Sequence, residues 1–264
     1  MPKAEALALV SDFAAATGRS AWPKLDRAKL AAGLTERIDD PNRIHQRQTP
    51  LCGPCTLFRA VAITDPEAYA RAAIDLFNNG SATIGKLKLR PGSELLASAP
   101  GGNTDTADWI TLATLRDTDN WFLSPAGLLG GNVAGITRPG TLKSWLRDVG
   151  FGQIRDETYL AVASKPIPTA LAAGIGTAGT LHVAGWFVAL FIDSEMIESN
   201  SDATALIPNH WVTLTSPIVD KGVVSYDGPI SLTVYSWGKG AMPVLCQTKR
   251  SFMDKYFGYV AFRR

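Results

Sequence analysis

Residues 46–62, QRQTPLCGPCTLFRAVA, hold the pattern from which the fold and the chemistry of this chain are inferred. A polar segment with a proline ends at Leu51, and a helix-forming run follows it, so Cys52 is predicted at the start of a helix. The partial positive charge of a helix N-terminus stabilises a thiolate, which is the form in which cysteine acts as a nucleophile. Cys52 is therefore the candidate nucleophile of the chain.

The first half of the chain is predicted to be mainly helical. Residues 2–18 form an amphipathic pattern, and further helices are predicted over 107–115 and 141–149. Between them, Asp65 is a favourable N-cap and Gly80 a stop signal for a helix that begins at Pro66.

The second half is predicted to be mainly β. Strands are expected over 180–192 (one strand, or two joined at Gly185), over 210–215, over 230–236 and at the C-terminal 258–264. Helices followed by antiparallel strands predict an α+β fold, as one catalytic domain over 1–264 with a helical half (1–175) and a β half (176–264).

Composition excludes several classes of partner. With 26 basic and 24 acidic residues, and no long run of Lys and Arg, the chain has no nucleic-acid signature. The most apolar stretch, 183–192, is far shorter than the roughly 20 residues of a membrane-spanning helix, so no membrane partner is expected. The N-terminus does not resemble a signal peptide, and we expect a protein that is cytoplasmic or is secreted without a cleaved N-terminal signal.

Three cysteines and three histidines do not form the paired spacings of a structural metal site. Three cysteines are also too few for a disulfide framework. We therefore expect no metal and no cofactor.

The sequence of residues 46–62 resembles the papain-like cysteine peptidase superfamily, including its bacteriocin-processing and effector branches. The resemblance rests on Gln46, six positions before a Cys-Gly pair that opens a helix. It implies that Gln46 and the backbone N–H of Cys52 stabilise the oxyanion of the tetrahedral intermediate. Gln48, four positions before Cys52, is the second choice for this donor.

The same resemblance implies that His210 is the catalytic base. The family places its histidine at the start of a strand in the second half, and the sequence Asn-His-Trp-Val-Thr-Leu at 209–214 fits that description. Papain has an Asn just before Ser-Trp-Gly, whereas Tyr235 precedes Ser-Trp-Gly here. The residue that orients the imidazole is left open between Ser236 and Asp227, and a hairpin folded near Val223 would put Ser236 opposite His210.

The resemblance implies a cysteine hydrolase, a peptidase or an amidase/deamidase, that acts on a protein or peptide substrate. A protein of this size without binding modules is similar to bacterial effectors and toxins, and a toxin would have an inhibitory (immunity) partner protein. An intracellular processing protease is the equal alternative.

Other interpretations stay open beside the hydrolase. Cys52-Gly-Pro-Cys55 is also a thiol-disulfide oxidoreductase motif, but that fold needs a buried strand before the motif, and the preceding residues are polar. Cys55 lies one helical turn after Cys52 and predicts either a buried structural residue or a regulatory disulfide with Cys52. His182, on the predicted strand 180–192, is the second candidate base. A catalytically inactive papain-like binding module is the third interpretation.

Overall fold

The computed structural model describes residues 2–47, 49–101, 103–119, 136–199, 205–220 and 226–264. The chain divides into two compact units. The first unit comprises residues 1–137 and 144–150, and the second comprises residues 138–143 and 151–264. The predicted α+β class is confirmed, with an antiparallel sheet in the second unit.

The first unit consists of helices with one small antiparallel hairpin. Its elements are α1 (Pro2–Ala15), α2 (Arg27–Asp39), a 3₁₀ turn (Pro41–Arg43), α3 (Cys52–Thr64), α4 (Pro66–Asn79), β1 (Ala82–Ile84), β2 (Leu87–Leu89), α5 (Ser93–Leu96), α6 (Thr106–Asp108), a π-helical segment (Trp109–Ala113) and α7 (Thr114–Asp119). Helix α8 (Pro139–Asp148) is shared: its residues up to Lys143 belong to the second unit and those from Ser144 to the first.

Local signals account for the positions of α3 and α4. The Asp65 carboxylate accepts a hydrogen bond from the Ala68 N–H at 3.1 Å and caps α4, which ends at Gly80 with φ +72°. Both ends of this helix were predicted. Every residue of α3 from Cys52 to Ala62 is buried, so α3 is the central helix of the first unit.

The second unit is built on a six-stranded antiparallel sheet. The strand order is β3-β10-β4-β5-β8-β9. Its elements are β3 (Gln153–Thr158), a 3₁₀ turn (Val162–Ser164), α9 (Pro168–Val183), β4 (Phe187–Ile192), α10 (Glu195–Glu198), β5 (His210–Leu214), β6 (Val219–Asp220), β7 (Ile230–Ser231), β8 (Thr233–Ser236), β9 (Lys239–Pro243), α11 (Lys249–Lys255) and β10 (Tyr256–Arg263). Residues 151–175, which the sequence assigned to the helical half, include the edge strand β3 and lie in the second unit.

The predicted strand over 180–192 is wrong in its first part. Helix α9 continues to Val183, the chain turns at Gly185 with φ +81°, and only 187–192 is a strand. A short apolar run does not by itself distinguish a strand from a helix. His182 therefore lies on a helix and not on a strand.

Among the described residues, no helix is both long enough and apolar enough to cross a membrane.

Candidate functional site

Cys52 is the first residue of α3, as predicted. Leu51 is the N-cap residue and contributes no side-chain cap, while its carbonyl accepts a hydrogen bond from the Cys55 N–H at 2.9 Å. The Cys52 side chain is therefore at the positive end of a 13-residue helix, where a thiolate is stabilised.

Gly53 is required by close packing at the start of the helix. A Cβ atom at this position would overlap the side chain of Thr137, which is itself buried. The Cys-Gly pair of the motif thus has a steric reason in this fold, independent of any resemblance.

Gln46 lies in the same unit as Cys52, in the loop before α3. Its side chain is buried, and Nε2 donates to the Thr49 carbonyl at 3.1 Å, while the Thr49 N–H donates to the Gln46 carbonyl at 3.2 Å. A primary amide carries two N–H donors, so this contact orients the amide and leaves a second donor for a ligand. The next residue, Arg47, has φ +54°, a backbone conformation uncommon for a non-glycine residue. Gln48 lies outside the described residues.

His210 is the first residue of β5 and is buried, and its Nε2 lies 2.7 Å from Ser236 Oγ. The predicted register is wrong by two residues. Thr213 pairs with Tyr235, which puts Ser236 opposite Val212 and diagonal to His210. The predicted hairpin position, Val223, lies outside the described residues. Residues two apart on a strand lie on the same face of the sheet, so Ser236 still reaches His210 although the two are not directly opposite.

Trp237 stacks on His210. The ring centroids are 5.1 Å apart with an interplanar angle of 20°. Trp237 and Gly238 connect β8 to β9 as a two-residue turn with φ values of +46° and +71°. Two positive φ values are typical of a type I′ hairpin turn, in which Asn or Gly is the favoured first residue and a bulky side chain is strained.

Burial lowers the pKa of His210 to about 4, because the imidazolium loses its hydration in this environment. The imidazole is therefore neutral at pH 7. A thiolate near Nδ1 would counter the effect, since a neighbouring negative charge favours the protonated ring.

Asp227, the other candidate for the third member, is in a different environment. Its side chain is 70% exposed, and Oδ1 accepts a hydrogen bond from Arg250 Nε at 2.8 Å, which lowers the pKa of the carboxyl. Of the two residues that the sequence left open, Ser236 is the one bonded to the His210 ring.

The remaining candidate residues are accounted for separately. Cys55 is buried in the first turn of α3, and none of the three cysteines forms a disulfide. Burial raises the pKa of Cys246, whose Sγ donates to the Ser251 carbonyl at 3.5 Å. Burial lowers the pKa of His182 on α9.

Sequence reasoning missed a buried ion pair in the first unit. Arg37 and Asp108 are 71 residues apart and form a two-point contact, with Nε–Oδ1 at 2.7 Å and Nη2–Oδ2 at 2.6 Å. Nothing in either local sequence distinguishes these residues from solvated charges, because their pairing depends on how distant helices pack.

Comparisons of the chain with protein families, with curated proteins and with solved structures gave no match.

Proposed function

We propose that this chain is a papain-like cysteine hydrolase whose two units form one catalytic domain over 1–264. Cys52 is the nucleophile, His210 the base, Gln46 the oxyanion donor and Ser236 the residue that orients the imidazole. The observation that carries the proposal is the bond between His210 Nε2 and Ser236 Oγ at 2.7 Å. This bond supports the proposal because it occupies Nε2, so base chemistry of this ring would use Nδ1.

The reaction is acyl transfer. His210 takes the thiol proton at Nδ1, the Cys52 sulfur bonds to the carbonyl carbon, and the oxygen takes up negative charge. That charge is stabilised by the Gln46 amide and the Cys52 backbone N–H. The imidazolium then protonates the leaving amine as the C–N bond breaks. Water, deprotonated by His210, attacks the thioester, and the thiol is regenerated.

The substrate is a protein or peptide, and the bond is a peptide or side-chain amide, so peptidase and amidase/deamidase activity share these steps. A bacterial effector or toxin with an inhibitory partner protein fits a hydrolase of this kind. Expression of the wild-type protein should then arrest growth of a bacterial host, and Cys52→Ala should not. Equal growth of the two strains would contradict the toxin setting and leave the chemistry untouched.

The first experiment is the pH dependence of Cys52 alkylation by iodoacetamide, followed by peptide mass spectrometry. An unperturbed thiol titrates near ~8.5, whereas a thiol that shares its proton with an imidazole at a helix start reacts well below that pH. We expect rapid alkylation of Cys52 at pH 6 in the wild type, loss of that reactivity in His210→Ala, and no change in the control His182→Ala.

Two other outcomes would redirect the proposal. Rapid alkylation that survives His210→Ala contradicts the role of His210 as base. Slow alkylation at every pH below 8 contradicts the hydrolase and supports a catalytically inactive papain-like module.

A thiol-disulfide oxidoreductase is the second candidate. It is favoured by the placement of Cys52 and Cys55 one turn apart at the start of α3, a spacing within reach of a disulfide. This function requires both thiols and does not require His210. Reduction of a disulfide substrate that is lost in Cys55→Ala and kept in His210→Ala would replace the hydrolase by the oxidoreductase.

The close contact of Ser236 with His210 has the distance of a serine nucleophile and its base. We assign Ser236 the orienting role because it is buried within β8 and lies beside the turn whose tryptophan stacks on the ring. Labelling of Ser236 by a fluorophosphonate would contradict this assignment.

A further inference from the structure

We propose that the buried Arg37–Asp108 pair is a positioning device for the oxyanion donor, and that it acts by holding the loop that carries Gln46. The inference rests on the proposed function, because it assigns a purpose to a loop whose chemistry is itself proposed.

The pair is almost completely removed from solvent. Arg37 is 4% exposed near the end of α2, and Asp108 is 1% exposed at the end of α6, just before the π-helical segment 109–113. Besides its two bonds to Asp108, Arg37 donates from Nη1 to the Gly33 carbonyl at 3.0 Å, and its Nη2 lies 3.4 Å from Asp105 Oδ1. The guanidinium is thus held in one orientation by its own helix, α2, and by two carboxylates at α6.

Asp108 extends this network to the loop. Its carboxylate also accepts a hydrogen bond from the backbone N–H of His45, the residue immediately before Gln46. Ile44 before His45 and Gln46 after it are both buried, so the chain is also packed on either side of that hydrogen bond. A carboxylate can accept the two Arg bonds and a backbone N–H together, which an apolar side chain cannot do.

The loop needs such an anchor because the backbone of Arg47, the residue after Gln46, is strained. Arg47 has φ +54°, and its N–H donates to His45 Nδ1 at 2.7 Å. A non-glycine residue keeps this conformation only where its surroundings enforce it, and such residues are concentrated at functional sites. His45 is bonded through both its backbone and its ring, so its position sets the direction in which the chain enters Gln46.

The same cluster is continuous with the helix that carries the cysteine. Tyr69 on α4 is fully buried, and both Arg37 and Asp108 act electrostatically on its hydroxyl. Its ring packs edge-on against Phe58 of α3, with centroids 6.1 Å apart. The ion pair therefore reaches the loop at His45, and its charges act on a tyrosine that packs against α3.

The test separates positioning from folding by comparing two reactions of Cys52. Iodoacetamide alkylation needs the thiolate but develops no charge at the oxyanion position. Addition to N-acetylaminoacetonitrile needs the thiolate and also a donor at the oxyanion position. In this addition the sulfur bonds to the nitrile carbon, one C–N π bond opens, and the nitrogen takes a proton from the imidazolium. The nitrogen of that thioimidate stands where the oxyanion would stand.

Gln46→Ala calibrates the experiment and should weaken nitrile affinity by on the order of 10²-fold, with an alkylation rate within about threefold of wild type. Arg37→Lys, which keeps the charge and loses the planar fork, should weaken nitrile affinity at least roughly tenfold with the same small change in alkylation.

The double variant Arg37→Met/Asp108→Leu replaces the pair by apolar groups and keeps a packed interior. It should weaken nitrile affinity to the same extent and should still show cooperative unfolding, as a folded protein does. Arg71→Lys, in the exposed Glu67–Arg71 pair on α4, is the matched control and should change neither reaction.

Nitrile affinity within twofold of wild type in Arg37→Lys and in the folded double variant would overturn the inference, provided that Gln46→Ala shows its loss. A Gln46→Ala variant with full nitrile affinity would also overturn it, because there would be no oxyanion donor to position. Both results are distinguishable from failure of the proposed function, in which alkylation of the wild type would not depend on His210.

Discussion

The two units hold their candidate reactive residues by different means. In the first unit, the buried Asp108 carboxylate is bonded to the Arg37 guanidinium, and a backbone hydrogen bond from His45, in the loop before Cys52, lowers the pKa of that carboxyl. In the second unit, His210 is held by the neutral hydroxyl of Ser236 and by the face of Trp237.

The proposed function accounts for the difference. In that proposal the loop presents backbone and amide N–H groups in a constant geometry, and a carboxylate with two oxygens is a suitable acceptor for such an anchor. In the proposed mechanism the imidazole gains and loses a proton, and a carboxylate partner would favour the protonated ring and raise its pKa. A hydroxyl orients the ring and leaves its charge free to change, which suits a base that is neutral at pH 7.

The largest expected effect comes from breaking the Arg37–Asp108 ion pair of the first unit. Asp108→Ala leaves the Arg37 guanidinium buried without its main partner, and we expect the free energy of unfolding in urea to fall by about 3–5 kcal/mol. Arg37→Met/Asp108→Leu should recover most of that loss, because it removes both charges. If Asp108→Ala is as stable as the wild type, the fold does not depend on this ion pair.

The pH dependence of stability probes the burial of His210 in the second unit. The folded pKa of His210 is about 4, below the unfolded value of about 6.5, so the unfolded chain binds a proton more readily between these pH values. Stability from this residue is therefore complete above pH 6.5 and is lost as the pH falls toward 4, by about 3 kcal/mol.

Urea titrations of the wild type and of His210→Gln at pH 7 and pH 4.5 measure that difference. The wild type should lose more stability than the variant on acidification. Parallel losses in the two proteins would mean that His210 is not held neutral by burial.

Removal of the Ser236 hydroxyl should have an intermediate effect. Ser236→Ala leaves Nε2 of a buried ring without its partner, and we expect a loss of about 1–3 kcal/mol in the free energy of unfolding, with slower alkylation of Cys52 at pH 6. Thr233→Val, which removes a half-buried hydroxyl contact between β8 and Thr215, the residue after β5, is the control and should leave alkylation unchanged. Slower alkylation in both variants would assign the effect to the strands and not to Ser236.

The smallest effect on stability is expected at the turn. Trp237→Asn relieves a strained φ of +46° and loses the ring stack, two opposing effects that should leave stability within about 1 kcal/mol of wild type. The pKa of His210 should nevertheless rise from about 4 toward 6.5, because water reaches the ring. NMR titration of the imidazole C–H signals measures it, and an unchanged pKa would show that Trp237 does not exclude water.

Elements with local start and stop signals were predictable from the sequence. The cap at Asp65, the stop at Gly80 and the polar-to-apolar change at Cys52 depend on neighbours a few residues away, and each lies where expected. The last turn of helix α9 was assigned to a strand because a short apolar run is compatible with a strand as well as with a helix.

Contacts across the sheet and between helices were not predictable in this way. The choice of Ser236 over Asp227 as the partner of His210 depends on a register that shifted by two residues from expectation. The Arg37–Asp108 pair depends on the packing of α2 against α6, and neither residue has a sequence neighbour that marks it as buried.

The sequence by itself determined the reactive residue types and the ends of the elements that carry them, because helix capping and strand alternation act over a few residues. Only the tertiary structure decided which polar groups meet: the hydroxyl on Nε2 of His210, the indole over its ring and the buried carboxylate beneath the Gln46 loop. These contacts join residues far apart in the chain, and their formation depends on the packing of whole helices and strands, which no local pattern records.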